Sequence, residues 1–387
     1  MSDAKREPWF TAGLRTPFGR AHKGAYVGVR PDDLIVTLLS ENRRRNPGLW
    51  EEPPEDVLVG CAYPEGEQGY NVGRMAALGT GIPSPGGTYS RLCGSALDAM
   101  ATAAGRVRGG YGSRFLVGGV ESMSRVPRRG ANFSESEAIR ATCPTAYVNM
   151  GDTAEEVARR YPRISRALQE DFSARSHQLA FDAYERGDYA TQLAVTEFGG
   201  ARVSRDEFVR WPADRAKMAE LKPAFKEGGT VTAATSSPLS DGATSGWILS
   251  AEEARKSGVS NALKILDVTW GHVAPEVMGL GPVPAISQIL KRNGLKPSDV
   301  AAYEINEAFA IQVLACQQEL GLPPSLVNGW GGAIAIGHPL GASGLRLMMT
   351  LQGRLEHAGD SGAMGIASLC IGGGQGMAVL CEYVNED

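Results

Sequence analysis

The sequence predicts an α/β protein made of two similarly built halves, with a long insertion in the first. Three observations predict it. Short apolar, β-branched or Gly-edged runs alternate with longer helical patterns. The pattern repeats approximately in the second half. Glycine is abundant, 49 of 387 residues against a usual share of about 7%. These glycines are neither periodic nor clustered with Ser or Pro, so they mark tight turns and close backbone approaches rather than disorder.

The elements follow in order. DVLVG at 56–60, RFLVGGV at 114–120 and MGIASL at 364–369 read as buried strands. DDLIVTLLSENRRR at 32–45, ALDAMATAAGRVR at 96–108 and SGLRLMMTLQGRLEH at 343–357 read as helices. Alternation at this spacing favours layers around mostly parallel sheets. Cys93-Gly-Ser opens a helix that leads to the strand FLVGGV, and Gly341-Ala-Ser-Gly opens one that leads to AMGIAS. The halves, residues 1–255 and 262–387, join near the polar stretch 250–262. Residues from about 120 to 232 are richer in charge, Arg and Pro, and their helical signals fit no clean βα repeat. A segment this long must carry structure of its own, as an insertion or lid.

Composition excludes several functions. Lys and Arg number 39 and Asp and Glu 43, a formal charge of −4. That balance argues against nucleic-acid or anionic-membrane binding as the main task. No apolar run reaches the 18 or so residues of a membrane helix, and the opening MSDAKREPWF lacks the apolar core of a secretory signal. The six cysteines (61, 93, 143, 316, 370 and 381) form no C-x-x-C pair, so neither a disulfide framework nor a zinc site is expected. The expectation is a soluble protein of a reducing compartment, the cytoplasm, with no metal.

Four segments carry candidate chemistry. Cys93, in TYSRLCGSALDAM, precedes a helix whose N-terminal field would favour a thiolate nucleophile. A lone cysteine is more often a small packing residue. His338 lies between Gly337 and Pro339 in WGGAIAIGHPLGASG, a run whose glycines let backbone approach a ligand closely. It is a candidate base for a thiol, against the reading of an ordinary turn histidine. In LCIGGGQGMAVL, Cys370 is followed by Gly372, Gly373, Gly374 and Gly376, whose amides suit an oxyanion hole. Read as a dinucleotide loop this run fails, because a strand follows it instead of a helix. Asn306, in INEAFA, follows a strand-like run; an N-cap role serves as well there as a catalytic one.

Together SRLCGSAL, INEAFA, NGWGGAIAIGHPLGASG and CIGGGQG resemble the thiolase family. EQGYNVGRMAAL (67–78), VGGVESMSRVP (117–127), MGDTAEEVA (150–158) and KEGGTVTAATSSPLSDGA (226–243) look like further family segments in the expected order, so the match runs essentially end to end. The resemblance implies the thiolase fold, two layered α/β/α/β/α halves around a pseudo-twofold. It implies reversible thiolytic cleavage of 3-oxoacyl-CoA by CoA to acetyl-CoA and a shortened acyl-CoA. In this mapping Cys93 is the nucleophile and acyl carrier. His338 takes its proton and, with Asn306 acting through a water, binds the thioester oxygen. Cys370 is the second acid/base, and the backbone N–H groups of Cys93 and Gly372 form the other oxyanion hole. Two thiols suit the chemistry, since carbon–carbon bond exchange needs a covalent carrier and a separate acid/base. Arg210, Leu221, Ser237, Met150, Ala308 and Phe309 match CoA- or acyl-contacting positions. No cofactor is implied beyond CoA as co-substrate. The implied partners are 3-oxoacyl-CoA, CoA, acetyl-CoA, further copies of the chain as homodimer or homotetramer, and optionally a multifunctional β-oxidation subunit.

Some residues depart from the family pattern. Ser90 and Trp330 stand where Asn is common, and a Trp at 330 is expected to reshape the pocket wall. Asn149 stands where the acetoacetyl-CoA-forming type typically carries His, and Lys217 replaces a Ser of that type. TAATSSPLSDGA and EQGYN look like the degradative type. The leading reading is therefore a catabolic 3-ketoacyl-CoA thiolase. An acetoacetyl-CoA-forming acetyltransferase comes second, and a non-catalytic lipid- or CoA-binding relative is the alternative from another class.

Overall fold

The computed structural model describes residues 3–386 except 199 and 360. Its main strands are β1 (Pro8–Arg15), β2 (Asp56–Gly60), β3 (Gly86–Tyr89), β4 (Arg114–Ser122), β5 (Ser240–Ser250), β6 (Asn261–His272), β7 (Ala302–Ile305), β8 (Met364–Ile371) and β9 (Gln375–Asn385). The longer helices are α1 (Pro31–Arg45), α2 (Val72–Gly79), α3 (Ser95–Gly109), α4 (Met150–Arg160), α5 (Arg166–Arg186), α6 (Pro282–Arg292), α7 (Ala310–Leu320) and α8 (Ser343–Ala358).

Alternation along the strands sets the layering, because successive side chains point to opposite faces. In β4, Phe115 and Val117 enter a central apolar cluster, while Leu116 and Val120 enter an outer one with α1 and α2. In β8, Ala367, Leu369 and Ile371 enter the same central cluster, while Ile366 meets α6 and α7 outside. The central layer is α3 and α8, through Leu97, Met100 and Val107 on one and Leu345, Met348 and Leu351 on the other. Burying each such Leu or Met stabilises by about 1.5–3 kcal/mol. The two helices approach so closely that a Cβ on Gly344 would sit 2.6 Å from the Leu97 amide nitrogen. The result is five layers, helices–sheet–helices–sheet–helices.

Hydrogen bonding runs in the order β7-β8-β9-β6-β1-β5-β4-β2-β3, and the halves meet at β1 and β6 through only Trp9↔Lys264 and Phe10↔Leu263. The repeat is visible in this order. Where β3 lies parallel beside β2, a parallel bridge Tyr303↔Val327 lies beside β7; α3 and α8 follow, then β4 with β5 and β8 with β9. The expectation of mostly parallel sheets is corrected. Along this path, among the described residues, three pairings are parallel (β7–β8, β2–β3, β2–β4) and five antiparallel. The tight turn after Ile371 can only return the chain antiparallel, and β5 enters against β4 in the same sense.

The chain leaves the sheet after Ser122 and re-enters it at Ser240, so residue 120 still belongs to β4. Between them lie α4, α5, two short α-helices, a 3₁₀ turn (Ala233–Thr235) and a small hairpin (Thr196–Phe198 with Ala201–Val203). One fully buried ion pair ties this insertion to β1. Arg15 Nη1 and Nη2 donate to Asp206 Oδ1 and Oδ2 at 2.7 and 3.0 Å. Asp206 also accepts from the Phe18 amide at 2.6 Å and the Tyr184 hydroxyl at 2.7 Å. Among the described residues no helix is long and apolar enough to cross a membrane.

Candidate active site

Cys93 sits two residues before α3, on a turn that an ordinary sequence resists. Leu92 adopts φ +46°, a left-handed conformation unusual for a bulky side chain. The Ser95 hydroxyl holds it there, accepting from the Arg91 amide at 3.0 Å and donating to the Leu92 carbonyl at 2.6 Å. The turn after β8 packs directly against this loop. A Cβ on Gly94 would lie 2.5 Å from Ile371 Cδ1, and one on Gly372 would lie 2.8 Å from Leu92 Cδ1. Arg91 Nη1 also donates to Gln375 Oε1 at 3.3 Å across the same seam.

Burial pushes the Cys93 thiol up to about 11, although the N–H groups of Gly372 and Cys93 itself face the sulfur and favour its charged form; Glu121 adds to the rise. The two amides do not offset the loss of water, so the thiol lies above its ordinary range rather than below it. Cys370, buried in β8, is pushed well above the usual thiol range by burial, and next by the proximity of Cys93 and Cys316. At rest both thiols are neutral.

His338 is held from three sides. Gly337 has φ +106°, and a Cβ there would lie 2.8 Å from Phe208 Cε2 and 2.9 Å from Ser240 Oγ, so only glycine fits. The His338 amide donates to Ser240 Oγ at 2.9 Å, and its Nδ1 lies 2.6 Å from Ser343 Oγ. Burial, and next the Arg346 cation, lower the imidazole to about 3, so the ring is neutral at physiological pH.

Asn306 is fully buried just past β7, and its amide donates to the Ser368 carbonyl at 2.9 Å. The N-cap reading is excluded, because α7 starts only at Ala310 with Phe309 as its N-cap. The Asn306 side chain turns to the histidine instead, with Nδ2 3.2 Å from Nε2 and Oδ1 accepting from Arg346 Nη2 at 2.9 Å. The residue after it, Glu307, is buried and gathers the glycine-rich loop. Its carboxylate accepts from Ser176 Oγ at 2.7 Å, Asn328 Nδ2 at 3.0 Å and the Ile334 amide at 3.2 Å.

The predicted residues thus fall into two groups, Cys93–Gly372–Cys370 and His338–Asn306. Glu121 spans them. It accepts from the Gly341 amide at 2.9 Å on the histidine loop and from the Ala62 amide at 2.8 Å, and its charge acts on the Cys93 sulfur. Met150, Ala308 and Phe309 pack with Cys370 in one apolar cluster, and the Ser237 amide donates to the Ala308 carbonyl at 3.0 Å. Arg210 and Leu221 do not join it. Both are exposed on the insertion and share no hydrogen bond with that cluster among the described residues; the Arg210 amide donates to His177 Nδ1, and the Leu221 carbonyl accepts from Arg166.

Trp330 does not reshape this site. It packs with Ala183, Tyr189 and Leu193, edge-on to Tyr189 at 5.9 Å between ring centroids. The Asn149 side chain is at the surface, donating to Asp152 Oδ2 at 3.1 Å. Ser240, Ser343, Arg346, Glu121 and Glu307 were not visible as site residues in the sequence. The one available signal was Arg346, a lone charge inside the apolar run SGLRLMMTL.

Comparison with known proteins identifies the family. Residues 10–253 match the family model described as thiolase, N-terminal domain, and residues 260–383 match thiolase, C-terminal domain. A 3-ketoacyl-CoA thiolase of Bacillus subtilis (strain 168) is 39% identical over 392 residues, covering 97% of this chain and 99% of the relative. One of Marinobacter nauticus is 41% identical, covering 96% and 97%. Among solved structures, the Bacillus anthracis acetyl-CoA acetyltransferase superimposes with TM-score 0.88 at 34% identity, covering 99% of this chain and all of that one. The dimeric peroxisomal thiolase of Saccharomyces cerevisiae also gives 0.88, at 30% identity, covering 100% and 99%. With both family domains matched in order along nearly its whole length, and relatives of this identity covered end to end, the chain belongs to the thiolase family.

Proposed function

We propose that the protein is a 3-ketoacyl-CoA thiolase that exchanges acyl groups through a Cys93 acyl-enzyme in the cytoplasm. The observation that carries this reading is the packing of the Cys93 turn from one half against the Cys370–Gly372 turn from the other, so close that a Cβ on Gly94 would lie 2.5 Å from Ile371 Cδ1 and one on Gly372 2.8 Å from Leu92 Cδ1.

Because Cys93 is neutral at rest, attack needs a base, and the neutral His338 ring supplies one. The sulfur adds to the 3-oxo carbon while its proton passes to His338. The resulting oxyanion lies against preorganised N–H donors. The bond between the second and third carbons breaks, and the electron pair goes to the acetyl-CoA enolate, whose thioester oxygen binds at His338 and Asn306. Cys370 delivers the proton that turns the enolate into acetyl-CoA. The thiol of free CoA gives its proton to the Cys370 thiolate and attacks the acyl-Cys93 thioester; Cys93 leaves as thiolate and retakes its proton from His338, and a shortened acyl-CoA departs. The amides of Cys93 and Gly372 hold the charged oxygen in this half-reaction. Met150, Ala308, Phe309 and Ser237 line the acyl and pantetheine path, with Arg210 and Leu221 on its outer reach. CoA is a co-substrate, and no other cofactor enters a step.

The relatives named 3-ketoacyl-CoA thiolase support the degradative direction. The second reading, an acetoacetyl-CoA-forming acetyltransferase, draws on the 34% identical acetyl-CoA acetyltransferase structure. The dimeric yeast neighbour supports a homodimer, or a pair of them, as the working assembly. Thiolysis of 3-ketoacyl-CoA esters from four to sixteen carbons separates the readings. Turnover at six carbons and longer is expected; turnover of acetoacetyl-CoA alone moves the protein to the second.

A further inference from the structure

Two residues behind the histidine, Ser343 and Arg346, are absent from the reaction just described, and both are buried. Ser343 Oγ lies 2.8 Å from the Pro339 carbonyl, which can only accept, and 2.6 Å from His338 Nδ1. With the one hydroxyl proton on the Pro339 side, Ser343 accepts from Nδ1, which then carries the ring proton. Nε2 is left with its lone pair.

Arg346 acts from the other side through Asn306. A side-chain amide can turn either end toward the ring, and the two choices favour opposite protonation states. Arg346 Nη2 donates to Asn306 Oδ1 at 2.9 Å, which forces Nδ2 toward the imidazole. Were the amide reversed, its partly negative oxygen would lie closer to Nε2 than to Nδ1 and would favour the proton there. Nδ2 lies 3.2 Å from Nε2 and 3.5 Å from Nδ1. An in-plane position that close to both nitrogens would collide with the Cε1–H between them, so the amide lies across the ring and leaves the Nε2 lone pair open in the plane. Arg346 Nε has no hydrogen-bond partner among the described residues, which is a costly state for a buried cation and argues that its placement serves more than packing.

We propose that Ser343 and Arg346 are positioning residues that lock His338 in its Nδ1–H tautomer and reserve Nε2 as the proton acceptor. The charged and titratable groups around the ring fit this role. Arg346 comes from α8. Glu304 from β7, Glu307, Tyr189 and Arg15 act on Arg346, Glu121 from β4 holds Gly341, and the two thiols lie across the site. The proposal rests on the assigned reaction only for the use made of Nε2.

The test combines spectroscopy and kinetics on the full-length protein with 15N-labelled histidine. Loss of a signal in His338→Asn identifies the resonance among the five histidines. The wild-type ring should show a protonated Nδ1 and an unprotonated Nε2. Ser343→Ala should give mixed tautomers and lower kcat about 10²-fold at unchanged KM for CoA, the lower end of a general base's usual contribution. Ser343→Thr, which keeps the hydroxyl, should restore both. Arg346→Met should shift the tautomer balance, and Arg346→Lys should recover part of it. A wild-type spectrum with Nε2–H, or Ser343→Ala with an unchanged spectrum and kcat, overturns the proposal. If the wild type cleaves no 3-ketoacyl-CoA, the assigned function fails, while the spectrum still decides the tautomer. If Arg346→Met does not fold, the wild-type and Ser343→Ala spectra decide.

Discussion

Leu92 and Gly372 form the seam between the two halves of the site: a Cβ on residue 372 would lie 2.8 Å from Leu92 Cδ1, inside any tolerated contact. The Leu92 side chain must give way, and Leu92 is the left-handed residue that precedes the nucleophile. Gly372→Ala should therefore press on the Leu92 turn that carries the nucleophile and part the sulfur from the 372 amide, while leaving the core intact. We expect kcat for thiolysis to fall about 10²-fold, the usual effect of losing one oxyanion donor, with a melting temperature within a few degrees of wild type. An unchanged kcat would show that this amide does not face the reacting oxygen.

Cys93 and Cys370 should separate into carrier and acid/base. Cys93→Ala should abolish turnover at every chain length, because the covalent step has no substitute. Cys370→Ala should still form the acyl-enzyme from acetyl-CoA, seen as an added acetyl group on the intact protein by mass spectrometry. It should release almost no acetyl-CoA from 3-ketoacyl substrates. If Cys370→Ala keeps more than a tenth of wild-type thiolysis, another group moves that proton.

The strands, helices and four chemical segments were legible because each carries a local signature: period-two or period-3.6 apolarity, or glycine beside a reactive side chain. The direction of strand pairing was not, since β5 and β9 return beside β4 and β8 only once the chain has folded. Nor was the environment of Cys93. The helix N-terminus visible in SRLCGSAL argued for a low pKa, but burial under the Gly372 turn, contributed by residues nearly 280 positions away, decides the sign. Ser343 and Arg346 were hidden for a related reason. A helix sequence does not say which of its polar residues faces a histidine loop. Trp330 shows the converse, a departure that looked functional and is packing.

That raised thiol has a measurable consequence in pH. A group with a pKa of about 11 is neutral below that value, and its thiolate fraction grows about tenfold per pH unit until it is reached. Alkylation of Cys93 by iodoacetamide in the free enzyme should therefore climb steadily between pH 7 and 10. Because burial and the Arg346 charge hold His338 neutral above about pH 3, no imidazolium is present to flatten the profile. A plateau near pH 8, read from the rate of carbamidomethyl incorporation at Cys93, would mean that the resting site already holds a thiolate.

The Arg15–Asp206 pair should behave differently from every surface pair in the chain. Both side chains are fully buried, and Asp206 joins β1, the Phe18 amide and Tyr184 of α5 at one point. Asp206→Ala leaves the Arg15 cation buried, with Gln192 and the Thr16 carbonyl as its remaining partners. Breaking one side of a buried pair typically costs about 3–5 kcal/mol, so denaturant unfolding should show a loss of that size. Arg186→Ala removes a pair whose arginine is half exposed, Arg186–Asp188, and should cost no more than about 1 kcal/mol. Replacing both buried partners, Arg15→Met with Asp206→Leu, should recover much of the loss, because no uncompensated charge remains. Since the pair anchors the insertion that carries Met150 to the site, Asp206→Ala should also raise KM for long acyl-CoA substrates more than for acetoacetyl-CoA. A stability loss with KM values unchanged at all lengths would mean that the insertion is held in place without this anchor, through α4 and its packing on Val277 and Met278.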